Sequence, residues 1–314
     1  MDLSIVIINW NSAEYIRKCL GSIFENTEGI DFEVIVIDNG SFDSCGQIVQ
    51  SEFPSVRFFQ SNENLGFAKA NNYGSERAIG EYFLFLNPDT EIIGGAIVGM
   101  LSAIKRLPNA GVLGGKLLNS DKSIQTSCIQ RFPTILNQVF DSDIVNRGRP
   151  ILAAGKAEFS DDELKTVQVI SGACMMVSAR IFEEVGKFSS EYFMYTEDVA
   201  LCYAVHQAGY MNYYTGEASV VHHGGGSSQQ RKENSYANIQ MRESIFKFLE
   251  KTRGRPYANI YKKAMFLNGV MRFSILSIAS SASLLMGQGS KHKSSLIKWK
   301  AIIRWTLGIE KWAR

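Results

Sequence analysis

The feature that most constrains the fold is a set of short apolar runs that each stop at a cluster of polar residues. Residues 3–8 end at Asn9-Trp10-Asn11-Ser12, residues 34–37 at Asp38-Asn39-Gly40-Ser41, and residues 82–86 at Asn87-Pro88-Asp89-Thr90. Runs of this length, rich in β-branched and aromatic residues, read as strands buried in a parallel sheet. In open α/β sheets ligands bind beyond the carboxyl ends of the strands, so three polar strand ends predict one shared crevice. Helical patterns over 13–24, 43–52, 68–78 and 93–106 alternate with the runs in a βαβ rhythm. Two further segments end on acids or imidazoles: Tyr195-Thr196-Glu197-Asp198, opening a helix predicted over 199–208, and Val220-Val221-His222-His223, after which comes a glycine-rich stretch.

Composition narrows the class. A chain of 314 residues with 45% apolar content can bury one large α/β domain and carry an appendage. Its five cysteines, Cys19, Cys45, Cys128, Cys174 and Cys202, are scattered without a Cys-x-x-Cys pair, which argues against a disulfide framework or a thiolate zinc site. The first strand begins almost at once, with Asp2 where a secretory signal would carry basic residues, so a cytosolic catalytic part is expected.

The ordered series Asn9-Trp10-Asn11, Asp38-Asn39-Gly40-Ser41, Asn64-Leu65-Gly66-Phe67-Ala68, Asn87-Pro88-Asp89, Gly172-Ala173-Cys174-Met175, Glu197-Asp198 and His222 through Ser227 resembles the family 2 inverting glycosyltransferases of GT-A fold, most of all their rhamnosyltransferase-like branch. The resemblance runs from about residue 3 to about residue 254. It implies a Rossmann-like, mostly parallel sheet flanked by helices over residues 1–246, followed by a helical, basic region over 247–314.

The resemblance also implies roles. Asp38 would hold the base or ribose of a nucleotide, as a carboxylate that only accepts hydrogen bonds, and Asn9, Asn64, Gly66 and Asn72 would complete the nucleotide site. Gly66 would permit close backbone approach at a helix start. Asp89, where such enzymes carry Asp-x-Asp, would bind Mn²⁺ or Mg²⁺ on the donor diphosphate with His222, a nitrogen ligand that tilts the ion toward Mn²⁺. Asn87 replaces the first acid of that motif. Asp198 would be the general base on the acceptor hydroxyl, Glu197 would orient the acceptor or its loop, and Gly172, Ala173 and Tyr195 would line the donor and acceptor. Local readings stand beside these: Asp89 as a helix cap, and Thr196 as the cap of the helix that Glu197 begins.

What the resemblance implies is transfer of a sugar, favoured as L-rhamnose from dTDP-rhamnose, to a glycan or lipid-linked acceptor. UDP-hexose and UDP-galactofuranose donors, or a binding protein without catalysis, are the alternatives. A sugar-nucleotide pyrophosphorylase is disfavoured because Asn9-Trp10-Asn11-Ser12 replaces a Gly-x-Gly-Thr-Arg signature. A processive synthase is disfavoured because Ala301 stands where Gln-x-x-Arg-Trp needs glutamine.

Charge is uneven. Residues 247–314 hold 14 Lys and Arg against Glu250 and Glu310, whereas residues 1–246 hold 19 Lys and Arg against 29 acids. Drawn as a helix, Lys293, Lys300, Arg304 and Lys311 share a stripe, and Trp299, Ile302, Ile303, Trp305, Ile309 and Trp312 spread over the other side. That pattern predicts an interfacial helix on an anionic membrane at its cytoplasmic face rather than a nucleic-acid site. A helical partner face or homo-oligomer contact, and an ordinary solvated face, fit the same periodicity. The stretch 264–287 reads as too short and too polar for a membrane span.

Overall fold

The computed structural model describes residues 1–41, 43–139, 164–224, 235–285 and 292–310. The described residues fall into two compact units, one built from residues up to 132 with 164–224, the other from 133–139 with 235–310. The boundary expected between residues 246 and 247 lies inside the helix Ser235–Arg253 of the second unit.

The first unit carries a nine-stranded sheet. Its strands are β1 (Leu3–Asn9), β2 (Phe32–Asn39), β3 (Arg57–Ser61), β4 (Tyr82–Leu86), β5 (Thr90–Ile92), β6 (Ala110–Leu118), β8 (Leu164–Val167), β10 (Cys174–Ser178) and β11 (Met211–His222); β7 (Ile129–Gln130) and β9 (Val169–Ile170) pair apart. The order is β3-β2-β1-β4-β10-β6-β11-β5, with β8 on β11. Strands β3, β2, β1 and β4 run parallel, as does β11 beside β6, whereas β10 lies antiparallel between β4 and β6. More of the paired positions are parallel than antiparallel, and the α/β expectation holds.

The apolar runs are strands because they are buried throughout: Leu3, Ile5, Val6 and Ile7 of β1 and Ile35, Val36 and Ile37 of β2 have no exposure. Each such side chain contributes roughly 1.5–3 kcal/mol of burial, enough to set the strand register. Helix α1 (Ala13–Asn26) buries Ile16, Cys19, Leu20 and Ile23 at helical spacing, and α4 (Ala96–Arg106) buries Ile97, Met100, Leu101 and Ile104. Between them come α2 (Cys45–Glu52) and α3 (Gly66–Ser75). The chain steps from β1 to β2 and β3 on one side and to β4 on the other, so the direction of winding reverses at β1. A ligand crevice belongs beyond the carboxyl ends of the strands at such a switch point. Strands β6 and β10 were not read from sequence, because Ala110–Leu118 holds three glycines and Cys174–Ser178 is too short to show a period.

The second unit is helical: α5 (Ile135–Val139), α8 (Ser235–Arg253), α9 (Arg255–Leu285) and α10 (Lys293–Thr306), while the first unit adds α6 (Ala179–Glu184) and α7 (Glu197–Gln207). Gly254, at φ 85°, breaks α8 from α9, and Pro256 in the first turn of α9 has no N–H to leave unpaired. The face of α10 that bears Trp and Ile makes helix contacts in this unit. Ile302 and Trp305 of α10 are buried, the Trp305 indole donates to Glu243 of α8 at 2.7 Å, and Trp305 lies 6.3 Å from the ring of Tyr261 on α9. Ile302 and Trp305 of the Trp/Ile face are therefore used in helix packing, whereas Ile309 is exposed; Lys311 and Trp312 lie outside the described residues. Among the described residues one stretch, Arg255–Ser281, is long and apolar enough to cross a membrane by length and composition.

Candidate active site

Beyond the carboxyl ends of β1, β2 and β4 lies a cavity of about 330 Å³. Its walls include Trp10 and Ser12 after β1, Asn39 at the end of β2, Asn64, Gly66 and Phe67 at the start of α3, Asn87 to Asp89 after β4, Gly172 and Ala173 before β10, Tyr195, Glu197 and Asp198 at the start of α7, and His222 at the end of β11. Seven segments, remote in sequence, meet in one crevice, and the predicted Asn64, Gly66, Asp89, Gly172, Ala173, Tyr195, Glu197, Asp198 and His222 are all among them.

The loop from β2 is tied to α3 by amides. Asn39 donates to Asn64 Oδ1 at 3.0 Å and accepts from the Leu65 N–H at 2.8 Å, and Asn64 Oδ1 also accepts from the Gly66 N–H at 2.9 Å. Gly66 sits at φ 77°, where a Cβ would come within 2.4 Å of the Phe193 carbonyl oxygen, so both backbone angle and space require glycine.

Three predicted nucleotide residues are placed differently. Asp38 is buried behind the cavity, accepting from Asn9 Nδ2 at 2.9 Å and from Gln60 Nε2 at 2.6 Å. Asn9 is fully buried, and its Oδ1 has no partner. Asn72 is engaged by the protein itself: its amide clamps the backbone of Phe188, donating to the carbonyl at 2.8 Å and accepting from the N–H at 3.1 Å. Asn72 is not among the residues that line the cavity. Asp43, which sequence reasoning passed over, accepts from the N–H groups of Ala13 at 3.0 Å and Cys45 at 3.2 Å, capping α1 and bracing α2.

The turn after β4 is fixed by Thr90, whose hydroxyl donates to the Asn87 carbonyl at 2.8 Å, and by the Asn87 N–H donating to Ala173 at 3.0 Å. Asp89 is 7% exposed, and its Oδ1 lies 3.4 Å from His222 Nε2. The tautomer of His222 follows from Gln125. Gln125 Nε2 donates to the His222 carbonyl at 2.8 Å, so its Oε1 is the acceptor that faces His222 Nδ1 at 2.8 Å. Nδ1 therefore carries a proton, and Nε2 lies 3.2 Å from Asn87 Nδ2. No residue pattern pointed to Gln125, which lies 97 positions from His222 in sequence. His223 is engaged elsewhere, by Glu91 at 2.7 Å and Ser120 at 2.8 Å; the glycines and serines at 225–228 lie outside the described residues.

The wall opposite in chain order is the start of α7. Tyr195 and Thr196 both sit in the left-handed region, at φ 69° and 74°. Two successive non-glycine residues there cost of order 1–3 kcal/mol each and turn the chain sharply into the helix. Thr196 makes no side-chain cap bond, so the expected cap is absent. The first-turn acids take that place. Asp198 Oδ1 accepts from the Val199 N–H at 2.8 Å and Oδ2 from the Gly172 N–H at 3.0 Å, leaving a lone pair on each oxygen. Burial raises the Asp198 carboxyl above the ordinary aspartate range, against those two backbone bonds. Burial, with the charge of Asp198 next to it, pushes Glu197 up to about 8. Glu197 is thus a neutral acid at pH 7, its Oε2 buried without a partner at the cavity wall.

Sheet order and switch-point crevice are those of an α/β fold of GT-A type. The family model described as Glycosyl transferase family 2 matches residues 4–186, more than half of the chain, and the chain belongs to that family: it is a glycosyltransferase. It is 28% identical over 233 residues to an N-acetylglucosaminyl-diphospho-decaprenol L-rhamnosyltransferase of Mycobacterium tuberculosis, covering 70% of this chain and 75% of that protein. It is 29% identical over 224 residues to the low-salt glycan biosynthesis hexosyltransferase Agl10 of Haloferax volcanii, covering 70% and 66%. Among solved structures, a mannosyltransferase from Pyrobaculum calidifontis in complex with GDP-Man and Mn²⁺ superposes with a TM-score of 0.59 over 98% of this chain and 86% of that one, at 15% identity, a likeness of fold.

Proposed function

We propose that the chain is an inverting, metal-dependent glycosyltransferase that moves L-rhamnose from dTDP-rhamnose to a hydroxyl of a lipid-linked or cell-surface glycan acceptor at the cytoplasmic face of the membrane. The observation that carries this reading is the meeting of Asp89 and His222 with Glu197 and Asp198 around one cavity. The donor sugar and the lipid-linked acceptor are supported by the name of the mycobacterial relative.

In this reading Asp198 takes the acceptor proton. Its raised affinity for protons brings it nearer neutral pH, which favours a general base, and its two backbone bonds fix its direction. The new oxygen–carbon bond forms at the anomeric carbon as the bond to the diphosphate oxygen breaks on the other face. One displacement, with no protein nucleophile, inverts the centre. Glu197, held neutral, keeps an O–H to donate to acceptor or donor, which an ionised carboxylate lacks.

Asp89 and His222 fit a divalent ion, Mn²⁺ or Mg²⁺, because they offer a carboxylate oxygen and an imidazole nitrogen 3.4 Å apart, with Gln125 facing the other ring nitrogen at 2.8 Å. Such an ion would offset the charge that grows on the departing diphosphate. The nucleoside would lie at Asn9, Asp38, Asn64 and Gly66. Gln60, exposed on edge strand β3, would swing away and leave Asp38 Oδ2 to a base N–H.

Calorimetric binding of dTDP and UDP, each with Mn²⁺ and with EDTA, tests the reading. Metal-dependent binding of dTDP alone supports it. Preference for UDP replaces the donor with a UDP-sugar, and no binding of either leaves a non-catalytic family member.

A further inference from the structure

Among the described residues, the second unit holds three half-buried cations that no carboxylate balances. Arg242 comes from α8, Arg272 from α9 and Lys298 from α10. Arg272 Nε donates to Asn268 Oδ1 at 2.9 Å, and Asn268 is oriented by its own donation to the Val139 carbonyl at 2.8 Å. The Arg272 guanidinium stands 5.0 Å from the Trp299 ring centre and the Lys298 ammonium 5.9 Å from it. Arg242 reaches the amide oxygen of Gln138 at 3.4 Å. All these partners are neutral. Burial lowers the proton affinity of both Arg272 and Lys298, and the charge of Arg242 lowers both further, so the three cations repel across the space they share.

A like-charge cluster removed from water is stabilised by an anion. The helices that bear it point to where that anion comes from. Neither α9 nor α10 contains an Asp or Glu. On α9, Ile260, Leu267, Met271, Ile275 and Ile278 recur at spacings of seven, four, four and three, one helix face, and all are exposed. The opposite face is packed, with Ala258, Tyr261 and Met265 fully buried. Acid-free helices with a bare apolar stripe suit a surface that is negative at its head groups and apolar beneath.

We propose that Arg242, Arg272 and Lys298 form a binding site for the phosphate group of an anionic lipid, with the Leu267–Met271–Ile275–Ile278 face of α9 lying on the acyl region. This rests on the reading that the enzyme works at a membrane face and names the contact that holds it there. It moves that contact from the packed Trp/Ile side of α10 to the exposed side of α9.

The test is sedimentation of the full chain with phosphatidylcholine vesicles, with and without phosphatidylglycerol. The wild type should prefer the anionic vesicles. Arg242→Gln/Arg272→Gln/Lys298→Gln should lose that preference by on the order of 100-fold. A charge-matched control, Lys263→Gln/Lys293→Gln/Lys300→Gln, should lose about 10-fold less, since exposed charges are screened. Met271→Ser/Ile275→Ser/Ile278→Ser should weaken binding to both vesicle types. The single Lys298→Met keeps the packed stem and serves if the triple variant misfolds. Removing mutual repulsion should leave the melting temperature level or higher, whereas a packing role would lower it. Equal losses in the triad and control variants would leave only diffuse charge and overturn the site while the membrane reading stands. Failure of the wild type to bind either vesicle would sink both. Stabilisation of the wild type by inorganic phosphate, without preference for anionic vesicles, would make the site one for a soluble phosphate and end the lipid assignment.

Discussion

Glu197→Gln isolates the most unusual electrostatic feature of the site. In the folded chain Glu197 is pushed from 4.5 to about 8 by burial and by Asp198. In the unfolded chain it ionises near its ordinary value. Between the two, the unfolded state has released a proton that the native state keeps, so stability is highest below about pH 4.5 and falls as pH rises toward 8. At about 1.4 kcal/mol per unit, the loss attributable to this one side chain is of order 3–5 kcal/mol. Glutamine has the same shape and no proton to lose. Urea unfolding at pH 5, 7 and 9 should therefore show wild type and variant nearly equal at pH 5 and the variant ahead by a few kcal/mol at pH 9; the slope that persists in the variant belongs to Asp198. Because the amide still donates, turnover at pH 7 should stay within about tenfold of wild type. Curves that remain parallel from pH 5 to 9 would mean that Glu197 is ionised in the native protein, and its role as a neutral donor would fall.

Asp198→Asn should retain donor binding and cut turnover by at least about 10²-fold, and in the wild type kcat/KM should rise with pH along a limb above the ordinary aspartate range; turnover close to wild type would remove Asp198 from the base role. Gln125→Leu frees His222 to take either tautomer and should weaken Mn²⁺-dependent nucleotide binding by about 10–100-fold without changing metal-free binding, as read by calorimetric titration. Gly66→Ala forces a Cβ to within 2.4 Å of the Phe193 carbonyl at φ 77°, so it should cost of order 1–3 kcal/mol in urea unfolding and lower nucleotide affinity; an unchanged denaturation midpoint would show that the loop yields freely.

The apolar runs ending at Asn9, Asp38 and Asn87 determined by themselves that parallel strands meet at a polar crevice, because burial on both faces of a sheet writes itself into consecutive side chains. The acid pair Glu197-Asp198 and the imidazole His222 were picked out through the resemblance to family 2 glycosyltransferases, since taken alone such groups at element ends also serve as caps. What the sequence could not settle were matters of long-range contact. Asn72 reads like a ligand residue, and only the fold shows that Phe188 takes both ends of its amide. The proton of His222 is placed by Gln125, from a segment nearly a hundred residues away. The Trp/Ile face of α10 has the periodicity of a membrane helix, and the same periodicity serves for packing on α8 and α9, where the Trp305 indole meets Glu243. Spacing along one element reveals which side chains share a face, but what covers that face depends on elements distant in the chain, and the tertiary fold alone supplies them.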